Sequence, residues 1–176
     1  LRVGLKCHNV ASRKNFILLI SSVTKKFVEK GDPALCSDLD ILRSEDEPEL
    51  DFFLNITHVQ VHRRVRALGR LRKRLLSCDQ IDDCPITVQS LIHILLPIAL
   101  HPIYECDKKD EEAYVMEAVS CVGAITRLLP WGKYQNVLWT ALTQISRHQS
   151  REANIINLIC SILDSFHFVV EEPVFS

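Results

Sequence analysis

A dense cluster of positive charge lies between residues 63 and 74, where seven of the twelve residues are Arg or Lys and none is acidic. On a helix turning about 100° per residue, these side chains recur at steps of three and four and form one continuous face. Charged groups stacked about 5–6 Å apart can follow the phosphates of a polyanion, although they carry no base-specific information. The predicted contact residues are His62, Arg63, Arg66, Arg70, Lys73 and Arg74.

Two other interpretations of this basic face stay open. The acidic residues between 38 and 51 could pair with it, or the charges could simply solvate the helix. Arg64 and Arg72 differ from the others because they fall inside the apolar arc. We expect them to extend to solvent or to meet carboxylates of an adjacent helix, since an unpaired buried charge is costly. Gly69 in the middle of the helix hints at a close neighbour.

Patterns for catalysis or metal binding are missing. His58 and His62 stand one turn apart, as in a zinc pair, but the Glu of H-E-x-x-H is absent and no third ligand is evident. The chain has no G-x-S-x-G elbow, no Cys-His signature and no phosphate-binding glycine loop. Seven scattered cysteines without a C-x-x-C pair predict reduced thiols in an intracellular compartment. We therefore predict a protein that is not an enzyme and that has no catalytic, cofactor or metal site and no small-molecule substrate.

The composition is that of a folded protein: 176 residues, 47% hydrophobic, 24% charged and a formal net charge of -1. Because the net field is weak, an electrostatic partner must recognise local asymmetry. The most apolar run, "VQSLIHILLPIALHPIY", is too interrupted to predict a membrane span. It predicts instead a buried helix that Pro97 kinks and that His101 and Pro102 end. The chain begins at Leu1 rather than Met, which suggests a fragment of a longer protein.

Apolar residues recur at helical spacing in one segment after another, whereas strict alternation over strand lengths is rare, so the sequence predicts an all-α fold. The basic helix is amphipathic and must pack against a neighbour. The predicted apolar stripes are Phe16, Ile20, Val23 and Phe27; Val61, Val65, Leu68, Leu71 and Leu75; Val88, Leu91, Leu95 and Ile98; Val115, Ala118, Val119, Val122, Ile125 and Leu129; Tyr134, Leu138, Ala141 and Ile145; and Ile155, Ile159, Ile162 and Phe166.

Helix ends also have sequence signals. Gly31 and Pro33 should end the first long helix, and Ser150 should cap the last one, with Glu152 in its first turn. Residues 37–51, "SDLDILRSEDEPELD", hold seven acids and a proline, and they predict a loop or a poorly ordered excursion.

Helices linked by short connections could form a closed bundle or a stretch of α-solenoid. Predicted helix starts near residues 58, 111 and 151 recur at intervals close to the roughly 40–47 residues of HEAT and armadillo repeats. We therefore predict an α-solenoid of HEAT-like antiparallel helix hairpins that is part of a longer array. Its predicted units are a helix of a preceding repeat (1–36), an acidic loop (37–51), a hairpin whose first helix is basic (52–105), a second hairpin (106–148) and the first helix of a following repeat (149–176).

One passage resembles a known family. "EPELDFFLNITHVQVHRRVRALGRL", from Glu47 to Leu71, resembles a segment of the "down-regulated in metastasis" family, the very large HEAT-repeat scaffold of the small-subunit processome. Two further passages follow in the family's order, "LPIALHPIYE" and "ILDSFHF". The residues that carry the main match are Asp51, Phe52, Phe53, His58, Gln60, His62, Arg63, Arg64, Arg66, Ala67 and Leu68.

The resemblance implies a piece of an elongated scaffold of the nucleolus and nucleus with a non-enzymatic role in small ribosomal subunit biogenesis. Its implied partners are precursor ribosomal RNA and processome proteins, including the box C/D snoRNA particle, without a membrane and without homo-oligomers. The basic helix would contact RNA backbone or acidic partners. The alternative is a HEAT-type docking module of a transport receptor or another large scaffold. A free-standing helix bundle with a concealed metal or catalytic site is a further alternative.

Overall fold

The computed structural model describes residues 2–31, 37–106, 109–147 and 149–168, and every regular element within these ranges is helical. The all-α prediction is therefore confirmed. None of the described helices is long and apolar enough to cross a membrane. The elements are α1 (Arg2–Leu5), α2 (Val10–Glu29), α3 (Phe52–Ile56), α4 (Val61–Leu76), α5 (Val88–Ser90), a π turn (Leu91–Leu95), α6 (Leu96–Glu105), α7 (Glu112–Thr126), α8 (Trp131–Ile145) and α9 (Glu152–Asp164), with 3-10 turns at Ser37–Leu42, Ile81–Asp83, Lys109–Glu111 and Gln149–Arg151.

Helix α7 lies at the centre of the core, where it packs against α4, α6 and α9. Its predicted apolar stripe is buried along its whole length, from Val115 to Leu129. The C-terminal half of the helix is buried on all sides, from Cys121 to Thr126, whereas Met116 and Ser120 are exposed opposite the stripe in the first half. A helical segment that is apolar on all sides needs neighbours on all sides. The other main contacts are those of α8 with α9, α3 with α4, and α2 with α1 and the turn Ser37–Leu42.

Helices α4 and α7 run in the same direction. Arg64 near the start of α4 pairs with Glu111 just before α7, and Arg72 pairs one to two turns further along with Glu117. At the far end, the Arg127 guanidinium donates to the main-chain carbonyl oxygens of residues 75, 76 and 78, where α4 ends. Because the partners advance together along both helices, the two axes are parallel. Arg127 also supplies the positive charge that suits a helix C-terminus.

Helix α9 continues this parallel arrangement on the other side of α7. The Ser161 hydroxyl donates to the Val119 carbonyl at 3.2 Å, and the hydroxyls of Thr126 and Ser165 are 2.7 Å apart one turn later. Gly123 between these contacts lets the backbones approach closely, since a Cβ there would overlap Ser161 Oγ. Helices α4, α7 and α9 therefore form one row of parallel helices.

The helices between members of the row run in the opposite direction. Tyr134, in the first turn of α8, donates its buried hydroxyl to the Ile162 carbonyl near the end of α9, at 2.7 Å. Helix α6 ends at Glu105, and the Cys106 thiol that follows it interacts with Glu111 at the start of α7. Helices α4, α7 and α9 thus run in one direction, and α6 and α8 between them run in the opposite direction.

The predicted end at His101 and Pro102 is wrong, because α6 continues through Pro102 to Glu105. Proline cannot donate to the carbonyl four residues earlier, which here belongs to Ile98. That carbonyl instead faces Arg13 Nη2 of α2 at 3.5 Å, so a distant side chain compensates for the missing bond. Arg13 also donates to the Leu5 carbonyl at 3.1 Å, and its burial lowers the pKa of its guanidinium. The irregularity expected near Pro97 takes the form of the π turn directly before α6.

The predicted helix ends are confirmed in part. Gly31 follows α2 with φ of 64°, the left-handed conformation that glycine adopts without strain, while Pro33 lies outside the described residues. Ser150 is not the N-cap of the last helix, because it lies within the 3-10 turn Gln149–Arg151 that tightens the start of α9. Glu152 does occupy the first turn of α9, as predicted.

We expect opposite effects from the same substitution at two helical glycines. A Cβ at Gly69 would lie 3.5 Å from the Glu117 carboxylate, an ordinary contact, so Gly69→Ala should raise the free energy of unfolding by about 0.5–1 kcal/mol. Gly123→Ala should lower it, because the added carbon overlaps Ser161 Oγ and lies 3.2 Å from the Ser161 carbonyl oxygen. Urea denaturation followed by circular dichroism measures both changes. Equal effects would contradict the packing described for α7 and α9.

Candidate nucleic-acid interface

Helix α4 separates its apolar and basic residues onto different faces. Leu68, Leu71 and Leu75 are buried, as the predicted stripe requires, and Val61 and Val65 are partly buried against the same core. The basic face looks outward and extends over about 16 Å from residue 63 to residue 74, at 1.5 Å per residue. We call its six predicted members the basic ridge: His62, Arg66, Lys73 and Arg74 are exposed, whereas Arg63 and Arg70 are partly covered.

The acidic segment covers only a small part of the ridge. Glu49 lies 3.5 Å from Arg63 through its carboxylate, and its main-chain carbonyl accepts a hydrogen bond from Arg70. The Glu49 side chain is 78% exposed, so its ion pair contributes little. Over the described ranges, Arg66, Lys73 and Arg74 make no salt bridge. Arg63 and Arg70 thus have partners within the chain, whereas Arg66, Lys73 and Arg74 remain available to a partner molecule.

Four other acids of residues 37–51 have partners away from α4: Asp38, Asp40, Glu45 and Asp51. Arg43 holds Asp40 at 2.6 Å and Glu45 at 2.8 Å, and Lys25 of α2 holds Glu45 at 2.9 Å. Hydrogen bonds from Lys25 and then from Arg43 keep the pKa of the Glu45 carboxyl below its usual value. The carboxylates of Asp40 and Glu45 are therefore paired with cations outside the ridge.

Two aspartates of this segment have structural roles. Asp38 accepts from the Thr87 amide at 2.7 Å and from the Ser90 hydroxyl at 2.8 Å, which ties the segment to the start of α5. Asp51 is buried and caps α3 by accepting from the Leu54 amide at 2.8 Å. With Leu39 and Leu42 in the core as well, the segment is a folded connection and not an excursion.

Arg64 and Arg72 meet carboxylates of the adjacent helix region, which confirms their predicted role. Arg64 lies 2.7 Å from Glu111 and stacks over the Tyr114 ring at 4.8 Å. Arg72 lies 2.6 Å from Glu117, and this hydrogen bond raises the pKa of the guanidinium in spite of its partial burial. Both contacts fix the rotation of α4 about its axis. The remaining cations are thereby directed away from α7.

Lys14 of α2 extends the positive charge of the ridge beyond α4, and the sequence pattern did not predict this. The pKa of His58 is lowered, first by desolvation and then by the positive charges of Arg63, His62 and Lys14. Lys14 belongs to α2 and is exposed. Its proximity depends on the packing of α2 near α3, which no local spacing encodes. His58 Nδ1 accepts from the Gln60 amide at 3.1 Å.

Two cysteine thiols in the described chain are made less reactive by burial, which is complete for Cys121 and partial for Cys106. Burial raises the pKa of Cys121 to about 12 and also that of Cys106 to about 12, so these thiols stay protonated and weakly nucleophilic. The six described cysteines are free. Within the part of the chain that the structure covers, no three His, Cys, Asp or Glu side chains are grouped so that they could hold a metal ion.

Comparisons with known proteins agree with the resemblance noted in the sequence. No family model matches the chain. The chain is 26% identical over 168 residues to U3 small nucleolar RNA-associated protein 20 of Saccharomyces cerevisiae, and 26% identical over 164 residues to the protein of the same name of Schizosaccharomyces pombe. Each match covers 92% of this chain but only 6% of the relative. The resemblance is thereby confirmed and includes nearly all of the chain.

We expect the Arg72–Glu117 pair to show a larger coupling energy than an exposed pair. A double-mutant cycle with Arg72→Ala and Glu117→Ala should give about 1 kcal/mol, because both side chains are mostly covered. The matched control is Lys25 with Glu29, an exposed pair at i,i+4 separated by 3.9 Å, which should give a much smaller coupling energy because solvent screens it. Chemical denaturation of the single and double variants measures both values. Equal coupling energies would show that the pair does not fix α4.

Proposed function

We propose that this chain is a segment of a non-enzymatic scaffold in small ribosomal subunit biogenesis, acting in processome assembly and precursor rRNA processing in the nucleolus. In this proposal the exposed cations of the basic ridge contact RNA phosphates. The family resemblance supports the process, since both similar proteins are named for their association with U3 small nucleolar RNA. The chain corresponds to 6% of their length, so the proposal concerns one part of a large assembly factor.

The proposed architecture is an α-solenoid of HEAT-like hairpins, and the parallel row supports it. Contacts between the α4 and α7 regions join residues 45 to 52 positions apart, and contacts between the α7 and α9 regions join residues 39 to 42 positions apart. Both offsets are close to the roughly 40–47 residues of a HEAT-type repeat. The returning helices α6 and α8 each pack against the next member of the row. Residues 52–105 and 106–148 would then be successive hairpins.

The outer edge of α8 and α9 also fits a repeat array. Trp139 and Leu142 of α8 are 59% and 38% exposed, and Ile156 and Leu163 of α9 are 45% and 51% exposed. Large apolar residues clustered at one end of a row are what a further hairpin would cover in a solenoid. The proposed units therefore include a preceding helix within 1–36, the acidic connection 37–51 and a following repeat that starts within 149–176.

Exposed cations along one helical face carry the RNA proposal. Arginine presents a planar fork that matches phosphate oxygens, and the ridge offers Arg66 and Arg74 without an internal salt bridge among the described residues. Contacts of this kind recognise backbone rather than sequence, which suits a scaffold along a long precursor RNA. The proposed partners are precursor ribosomal RNA and processome proteins, including the box C/D snoRNA particle.

The test reverses two ridge charges and compares RNA binding with that of a matched variant. Arg66→Glu with Arg74→Glu should weaken binding to a single-stranded RNA oligomer by about tenfold or more at moderate salt. The dependence of log K on log salt should become shallower by about 1.4, because two phosphate contacts are lost. Arg70 is left in place because it holds the Glu49 carbonyl. Fluorescence anisotropy at several salt concentrations measures both quantities.

The control is Lys26→Glu with Lys30→Glu at the exposed end of α2, which changes the net charge by the same amount. It should reduce binding far less than the ridge variant. An equal loss of RNA affinity in both variants would show that binding depends only on the net charge of the protein and not on the ridge. An unchanged salt dependence in the ridge variant would contradict RNA contact, and an acidic protein segment would then be the better partner for the ridge.

A further inference from the structure

A groove separates α6 from α8 and is bordered at one end by α1. Its volume is about 640 Å³, within the range of roughly 300–1,000 Å³ typical of binding clefts. The α6 side is largely apolar and includes Leu96, Leu100 and Tyr104. Val137 and Ala141 of α8 form the facing wall. No residue of α4 lines this groove, so it is separate from the basic ridge.

The rim of the groove is positively charged. Lys133 and Arg147 lie at opposite ends of α8, and Lys6 lies beside α1; all three are exposed. Among the lining residues in the described chain, Glu105 is the single acid, and it faces His8 at 3.6 Å. Three cations against one acid give the rim an excess of positive charge at neutral pH.

A histidine inside the groove does not add to this charge. His101 is largely buried, and its pKa is lowered to about 4, first by desolvation and then by Arg13, His8 and Arg151, with Glu111 acting in the opposite direction. The imidazole is therefore neutral at physiological pH. The groove thus combines an uncharged, largely apolar interior with a cationic rim.

We propose that this groove docks an acidic amphipathic helix of a partner protein. An apolar stripe of such a helix would fill the space between α6 and α8, and its carboxylates would meet Lys133, Arg147 and Lys6 at the rim. Aliphatic side chains and Pro97 dominate the apolar lining, and Tyr104 is its one Phe, Tyr or Trp side chain in the described chain, so stacked nucleobases find little support there. The chemistry therefore favours a protein helix over single-stranded RNA.

The wall formed by α8 suits a helix lying along it. Asn136, Thr140 and Gln144 follow at steps of four and line the groove on one face of α8. The Thr140 hydroxyl donates to the Asn136 carbonyl at 2.7 Å, so it is already satisfied. The side-chain amides of the other two residues extend the polar edge between the cationic ends. A partner helix aligned with α8 would contact the apolar residues of α6, the side-chain amides of Asn136 and Gln144, and the cations of the rim at the same time.

The experiment uses two labelled peptides of about four helical turns, each with Leu at i, i+3, i+4 and i+7. One carries Glu at the flanking positions and the other carries Lys. Fluorescence anisotropy with the 176-residue chain should show about tenfold tighter binding of the Glu peptide, and added salt should reduce that preference. Lys133→Glu with Arg147→Glu should abolish the preference.

A second variant tests the groove itself. Thr140→Trp places a large ring over the groove from an exposed position and should weaken binding of the Glu peptide by about tenfold. Gln135→Trp on the opposite face of α8 is the matched control and should bind like the unmodified chain. Circular dichroism and thermal unfolding verify that the variants keep their helices.

Three results would overturn the proposal. They are equal binding of both peptides, binding that Thr140→Trp leaves unchanged, and loss of RNA-oligomer binding in Thr140→Trp, which would make the groove an RNA site. The ridge variants at Arg66 and Arg74 should not alter peptide binding. Failure of the RNA proposal for α4 is therefore distinguishable from failure of the groove proposal.

Discussion

The packing of a highly charged helix against the central helix of the core is the constraint on which this structure depends. The apolar stripe of α7 is buried along its whole length, yet α4 brings seven cations within twelve residues to pack beside it. Arg64 and Arg72, the two cations inside the apolar arc, meet Glu111 and Glu117, so neither is left uncompensated at the interface. The pairs also set the rotation of α4. Because they occupy its inner edge, the rest of its positive charge is directed toward solvent.

The arrangement of acids near the ridge shows why proximity in sequence is a poor guide to neutralisation. Residues 37–51 carry seven acids, the same number as the Arg and Lys residues of α4. Asp38 and Asp51 are committed to hydrogen bonds that hold turns and a helix start, whereas Arg43 and Lys25 hold Glu45. The segment thus behaves as a folded connection with its own ionic network. Glu49 is the one acid of the segment that contacts the ridge, through an exposed carboxylate and a main-chain carbonyl, and this is why the ridge keeps its positive character.

The sequence pattern predicted the structural features that depend on interactions between residues a few positions apart. The periodic stripes of α4 and α7, the glycine that ends α2 and the paired fate of Arg72 could all be read from spacing, because amphipathicity and charge burial act within a few turns. The continuation of α6 through Pro102 could not be predicted from spacing, because it depends on a contact from Arg13 to the Ile98 carbonyl, 85 residues away in the chain. The same limit holds for the site: the exposed cations were predictable, but the approach of Lys14 and the groove beside α8 arise only from packing.

The two joints of the parallel row are built from different chemistry, and this has a mechanical consequence. The joint between α4 and α7 is clamped at both ends, by Arg64 on Glu111 and by Arg127 across the carbonyls that terminate α4. The joint between α7 and α9 has buried apolar residues and hydroxyl contacts such as that of Thr126 with Ser165, without an ion pair between the described residues of the two helices. Stiffness is therefore uneven along the row. Under a bending force, the first joint should move as a rigid block and the curvature should concentrate at the second.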